Sequence, residues 1–163
     1  MVEAGPNAMK KVHEALRGFP VVITLPVEWG DQDAFGHVNN TVYFRWCETA
    51  RVVYLERIGM WGRIAADGHG PIVASIGCNF RKEVTFPDTV LVGARVTRIG
   101  NSSFRMEHVV VSEAANAVVA DSDSTLVFYD YNLGKPLPLP DDLRRAIVEL
   151  EGGAVASAPG VEQ

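Results

Sequence analysis

The sequence predicts an α+β fold in which one antiparallel β-sheet wraps around one long central α-helix. Two observations carry this expectation. From Asn40 to Ile58 the apolar positions Tyr43, Trp46, Cys47, Ala50, Val53, Tyr54 and Ile58 recur at helical spacing, while Val42, Phe44, Val52 and Leu55 add apolar groups on other faces. A helix apolar nearly all round must be enclosed. The residues after it read as at least four strands joined by hairpin-length turns, which favours an antiparallel sheet around one helix over a βαβ repeat.

The 163 residues, 47% of them hydrophobic, have the size and apolar content of one compact domain with a full core. Residues 1–18 read as a helical extension, 19–150 as the main domain and 151–163 as a disordered tail rich in small residues. In the extension, Asn7 caps a short helix carrying Met9, Val12 and Leu16, and Gly18 offers its stop. Phe19 to Trp29 is rich in Val, Ile and aromatics but interrupted by Pro20 and Pro26, which suits a strand at a sheet edge.

Gly59 stands where the long helix needs a C-terminal cap, and Met60 to Asp67 extends it as a second short helix. Asp67 to Pro71 reads as a loop. Ile72, Ala74, Ile76, Cys78 and Phe80 alternate as a strand, Pro87-Asp88 turns, and Val90 to Ile99 is the next strand. Gly100-Asn101-Ser102 signals a hairpin into Phe104 to Ser112, where Phe104, Met106, His108 and Val110 share a face. In Val118 to Tyr129 the shared face is Ala120, Ser122, Ser124, Leu126 and Phe128; its small first residues suit close approach of a helix. Pro136, Pro138 and Pro140 end the sheet, and Asp141 to Leu150 forms a terminal helix.

A net charge of −5 without a long Lys/Arg run argues against a nucleic-acid surface. No apolar stretch approaches the roughly 20 residues that span a bilayer, and Met1 to Pro6 lacks a basic leader or apolar signal core. The expected location is the cytoplasm, with no membrane contact. Cys47 and Cys78 lack partners at zinc-site spacing and read as buried thiols, and His37, His69 and His108 are scattered. No metal is expected. There is no nucleophile elbow of the Gly-x-Ser-x-Gly type and no phosphate loop.

The chemistry-bearing segment is Glu28 to Arg51, which packs carboxylates, a glycine, a histidine and two asparagines into the approach to the long helix. Asp31, Asp33 and Gly36 superficially suggest a calcium loop, but Phe35 and Val42 would fall where oxygen ligands are required. Asp33 stands just before a helix N-terminus, whose free N–H groups and dipole can stabilise a developing oxyanion. Each residue has a plain reading too: Asp33 as a turn former, Asn39 and Asn40 as turn and N-cap residues, Glu48 as an ion-pair partner of Arg45 or Arg51.

The run Trp-Gly-Asp-Gln-Asp-Ala-Phe-Gly-His-Val-Asn-Asn-Thr-Val-Tyr, followed by Glu48 and Arg51, closely resembles the 4-hydroxybenzoyl-CoA thioesterase family of hot-dog folds, including its YbgC-like acyl-CoA thioesterase branch. Phe80 to Asp88, Ser103-Phe104 and Asp130 through Pro140 resemble further segments of that family, so the likeness covers roughly residues 20 to 147. It implies a hot-dog fold, subunits paired into a continuous sheet as a homodimer or homotetramer, and active sites between subunits. It also implies an acyl-CoA substrate, short, medium or aromatic in its acyl group, and no cofactor beyond the coenzyme A of the substrate.

By that resemblance Asp33 is the nucleophile or general base, Asp31 a supporting residue and the Asn40 N–H the oxyanion donor. His37 and Asn39 shape the turn and touch substrate, Tyr43 and Trp46 line the acyl pocket, and Glu48 is a lesser acid–base candidate. Arg81 and Lys82 are candidate phosphate contacts, with Arg98 and Arg105. The best-known member carries adjacent arginines before its hairpin Ser-Phe where this chain has Gly100-Asn101, so phosphopantetheine on acyl carrier protein becomes an alternative substrate handle. Two rivals remain: a hydratase, disfavoured because its Asp and His usually stand five positions apart whereas Asp33 and Asp31 precede His37 by four and six, and a non-catalytic acyl-thioester-binding protein.

Overall fold

The computed structural model describes residues 13–157. Seven strands among them form one sheet: β1 (Val21–Pro26), β2 (His69–Phe80), β3 (Thr89–Ile99), β4 (Ser103–Ser112), β5 (Ala117–Asp130), β6 (Lys135–Pro136) and β7 (Ala156–Ser157). The main path runs β1-β3-β4-β5-β2, antiparallel throughout, with β6 on β5 and β7 parallel to β3. Helix α1 (Asn40–Arg57) is wrapped by this sheet; α2 (Met60–Asp67) and α3 (Asp141–Leu150) complete the regular structure. This is the hot-dog fold.

Helix α1 begins and ends where its sequence says it must. Asn39 caps it by accepting from the Thr41 N–H, and Gly59 follows in the left-handed region at φ 79°. Its face toward the sheet, Cys47, Ala50 and Tyr54, is fully buried. The opposing faces of β4 and β5 alternate as their patterns predict: Phe104, Met106, His108 and Val110 are buried, as are Ala120, Ser122, Ser124, Leu126 and Phe128. The edge position of β1 accommodates Pro26.

On three points the expectations change or fall outside the described residues. Asp67 to Pro71 is no loop, because β2 starts at His69 and Pro71 pairs with Phe128; β2 is an edge strand, where a missing N–H is tolerated. Asn7, Met9 and Val12 lie outside the described residues, and what is seen of the extension is a 3-10 turn at Glu14–Leu16. There Leu16 and Phe19 lie so close over Gly93 that a Cβ would meet the Phe19 ring at 2.8 Å, so a side chain at 93 is excluded by that contact.

The third change concerns the tail. Through Ser157 it is ordered rather than free. Ala156–Ser157 pairs with Arg98 and Ile99, and one carboxylate oxygen of Glu151 accepts both the Tyr54 hydroxyl and the Val96 N–H, each at 2.7 Å. Burial holds the Glu151 carboxyl above its ordinary pKa despite these donors. Glu151→Ala strands two donors in the interior and is expected to lower the unfolding free energy by about 2 kcal/mol, measured by urea denaturation. A loss no larger than that of a surface alanine substitution would show that this junction contributes nothing.

Candidate active site

The approach to α1 is built around two carboxylates that the backbone sends to opposite sides. Asp31 is 5% exposed and has both oxygens engaged: Oδ1 receives Arg45 at 2.6 Å and Oδ2 receives the Glu28 N–H at 2.9 Å. Its carbonyl accepts the Asn39 N–H at 2.9 Å. Asp31 therefore fastens the exit of β1 to the first turns of α1.

Two residues later, Asp33 is half-buried and, among the described residues, only its Oδ1 is used, by the Phe35 N–H at 2.9 Å. The turn closes through Asp33 N–H to the His37 carbonyl and Gly36 N–H to the Asp33 carbonyl, at 2.9 and 3.0 Å. Gly36 has φ 78°, a conformation that glycine adopts without the cost to a Cβ. Val38 then anchors the segment by donating to the Val84 carbonyl at 2.8 Å.

At the N-terminus of α1 the backbone donors are almost all taken. Asn39 N–H goes to Asp31, Thr41 N–H to the Asn39 side chain and Val42 N–H to the Asn39 carbonyl. The Asn40 N–H has no acceptor among the described residues. It is an orphan donor at the positive end of an 18-residue helix.

Asp33, His37, Asn40, Tyr43, Arg81 and Lys82 line one cleft of about 490 Å³ together with Phe35, Val38, Phe80 and Glu83. Six of the residues singled out in the sequence are thus brought together. Tyr43 is packed between Trp46 and Phe80, at ring-centroid distances of 5.1 and 5.2 Å. Burial raises its phenol to about 12, so it stays a neutral donor at physiological pH. Arg81 pairs with Asp121 at 2.6 Å, and Arg105 with Asp123 at 3.2 Å.

Asn39, Trp46 and Glu48 do not line this cleft. Asn39 is occupied as the helix cap, its Oδ1 also receiving the Thr41 hydroxyl. Trp46 is buried behind Tyr43 and borders a separate hollow with Asp31 and Arg45. Glu48, five residues beyond Tyr43 and therefore about 140° around the helix, is 63% exposed and lies 3.9 Å from Arg51. The sequence reading missed Phe35, Val38, Phe80 and Glu83 as lining residues; Phe80 ends β2 and Glu83 follows three residues later, on either side of Arg81 and Lys82, which their charge singles out.

Residues 27–147 match the thioesterase-like superfamily. The chain belongs to this superfamily. It is accordingly a thioester hydrolase by descent. The chain is 34% identical to a thioesterase from Thermus thermophilus whose crystal structure holds coenzyme A and Zn, with a TM-score of 0.74 over 83% of this chain and 97% of that one. It is 27% identical to the long-chain acyl-CoA thioesterase FadM of Escherichia coli over 118 residues, which is 72% of this chain and 89% of the relative. A chloroplastic acyl-acyl carrier protein thioesterase of Arabidopsis thaliana is 24% identical over 145 residues, 88% of this chain and 72% of that protein.

Behind the cleft of this thioesterase, His108 is 2% exposed, and burial, reinforced by the charge of Arg51, lowers its pKa from 6.5 to about 3. Between these values the unfolded chain binds the proton and the folded one does not. His108 therefore contributes stability that is present above about pH 6.5 and is lost as pH falls toward about 3, at up to about 1.4 kcal/mol per pH unit. Urea midpoints measured between about pH 6 and pH 4 should fall less steeply in His108→Gln than in the wild type; parallel slopes would refute the buried neutral imidazole.

Proposed function

We propose that this protein hydrolyses acyl-CoA thioesters, with Asp33 as nucleophile or general base and the Asn40 N–H as the oxyanion donor. The observation that carries this reading is that Asp33 and Asn40 line one cleft, the first with a carboxylate oxygen and the second with an N–H that have no partner among the described residues. A thioester carbonyl whose oxygen accepts the Asn40 N–H presents its carbon to the Asp33 side of the cleft. In the general-base form, Asp33 takes a proton from water as the hydroxyl adds to that carbon. Negative charge grows on the carbonyl oxygen, where the helix N-terminus stabilises it. Collapse breaks the C–S bond, and the coenzyme A thiolate leaves and takes up the proton. In the nucleophilic form Asp33 itself adds to the carbonyl, the C–S bond breaks as the coenzyme A thiolate leaves and takes up a proton from the attacking water, and that water cleaves the resulting anhydride to the free acid and the Asp33 carboxylate.

His37 and Glu83 flank the reacting group, Tyr43 and Phe80 shape the acyl side, and Lys82 is the rim cation for the nucleotide end of the substrate, beside an Arg81 already paired with Asp121. The reading requires no cofactor. Acyl carrier protein is the second candidate carrier, favoured by the likeness to an acyl-acyl carrier protein thioesterase. Asp33→Asn is expected to lower kcat/KM for acyl-CoA by at least about 100-fold, followed by free-thiol release across a panel of acyl-CoAs. Equal rates in both proteins would remove Asp33 from the chemistry, and saturable binding with no thiol release from any thioester would establish a binding protein instead.

We further propose that two copies join along β2. That strand ends the sheet, and Ile72, Val73, Ile76 and Phe80 on it are 38–47% exposed, an apolar edge that pairing would cover. Light scattering should show a dimer or a multiple of it at micromolar concentration, shifted toward monomer by Ile72→Lys, which places charge on the pairing strand. A monodisperse wild-type monomer would overturn this.

A further inference from the structure

Between α1 and the sheet, the seam leading away from the cleft ends in polar groups that have nothing to bond. The strand registers define three successive rows on the inner face: Phe80, Ala120 and Val110; then Cys78, Ser122 and His108; then Ile76, Ser124 and Met106. Successive rows lie about 7 Å apart. Helix α1 keeps step, since four residues advance it about 6 Å. Tyr43 rests on Phe80 in the first row, and Cys47 is near enough to Cys78 and Ser122 in the second for both to act on its thiol. Arg51, one turn further, acts on both Cys47 and His108.

On its β2 flank the track borders the edge proposed above to pair with a second copy, where Ile76 and Phe80 are 41% and 47% exposed in the single subunit. At its far end the side chains are buried and unsatisfied. Both ring nitrogens of His108, Oγ of Ser124 and Nη1 of Arg51 have no hydrogen-bond partner among the described residues. Their residues are 2%, 0% and 7% exposed. The nearest counter-charge to Arg51 is the solvent-facing Glu48, 3.9 Å from the other guanidinium nitrogen. A buried guanidinium so weakly paired calls for an acceptor, and for negative charge.

We propose that Arg51, His108 and Ser124 receive a carboxylate at the far end of the acyl chain, so that the substrate class is the thioester of a dicarboxylic acid. This rests on the acyl-CoA hydrolase reading above. A carboxylate is acceptor-only, and the three residues offer it a guanidinium N–H, an imidazole N–H and a hydroxyl. A terminal hydroxyl would supply no charge to Arg51. From Asn40 to Arg51 the helix rises about 16 Å, which sets a medium-length aliphatic chain between the two carbonyl carbons.

The test compares sebacyl-CoA with decanoyl-CoA and with 10-hydroxydecanoyl-CoA, each by free-thiol release, in the wild type, Arg51→Met and Ser124→Ala. The wild type should favour sebacyl-CoA over both by at least about tenfold in kcat/KM, a loss of one charge-assisted contact. That ratio should fall to about one or below in Arg51→Met and by a few-fold in Ser124→Ala, whose small change leaves packing nearly intact. Each ratio is taken within one protein, so it does not depend on that variant's absolute activity. Hydrolysis without a sebacyl preference, a preference for the hydroxylated chain, or a preference that both variants retain would overturn the inference while leaving the hydrolase reading standing. If no thioester is hydrolysed, that reading fails, and the same three thioesters are compared by calorimetric affinity. There a tenfold sebacyl preference lost in Arg51→Met upholds the site, and equal affinities reject it.

Discussion

The structure around the site depends on the buried carboxylate of Asp31. Its two oxygens and its own carbonyl together hold the Arg45 side chain, the Glu28 N–H and the Asn39 N–H. Those contacts join the end of an edge strand, the cap of a helix and a residue in that helix's second turn. A buried charge is tolerable only when paired and hydrogen-bonded, and Asp31 satisfies both conditions. The short segment between it and Asn39 is consequently closed at each end, and the Asp33 turn within it and Asn40 just beyond it line the same cleft.

Sheet and helix are matched by a second constraint, the agreement between strand spacing and helical rise. Because four helical residues and two strand residues advance by nearly the same distance, α1 meets a new row of the sheet at each turn. Small side chains at Ala120, Ser122 and Ser124 let the helix lie close, and the large ones at Leu126 and Phe128 fill the space beside it. The cleft sits at one end of these rows and the buried Arg51 and His108 farther along them. What separates the proposed reaction chemistry from the proposed acyl-end contact is thus a count of rows.

Most of this was legible in the residues. The span of α1, its Gly59 stop, helices α2 and α3 and the inward faces of β4 and β5 follow from local periodicity and capping, which act over a few residues. What escaped was non-local. The start of β2 at His69 is imposed by pairing with Asp130 across the sheet, against a Gly and Pro composition that reads as loop. Order in Glu151–Ser157 comes from Tyr54, Val96 and β3. At the site, the acidic turn and the helix cap were visible because they are contiguous. Arg81 and Lys82 were visible through their charge, whereas Phe80 and Glu83 on either side of them carried no signal for an anionic substrate, and the helical phase of Trp46 and Glu48 was outweighed by their proximity in sequence to Asp33.

The two-residue step from Asp31 to Asp33 gives this loop an unusual kind of rigidity. Gln32 is extended, at φ −80° and ψ 143°, so the chain carries one carboxylate inward and the next outward by simple alternation. Parity, more than residue identity, therefore assigns the buried clamp and the cleft acid. Ala34 faces solvent and leaves room for drift in side-chain type, whereas gaining or losing a single residue between the two aspartates would exchange their surroundings. Among descendants of this loop, length should be the more tightly inherited character and spelling the looser one.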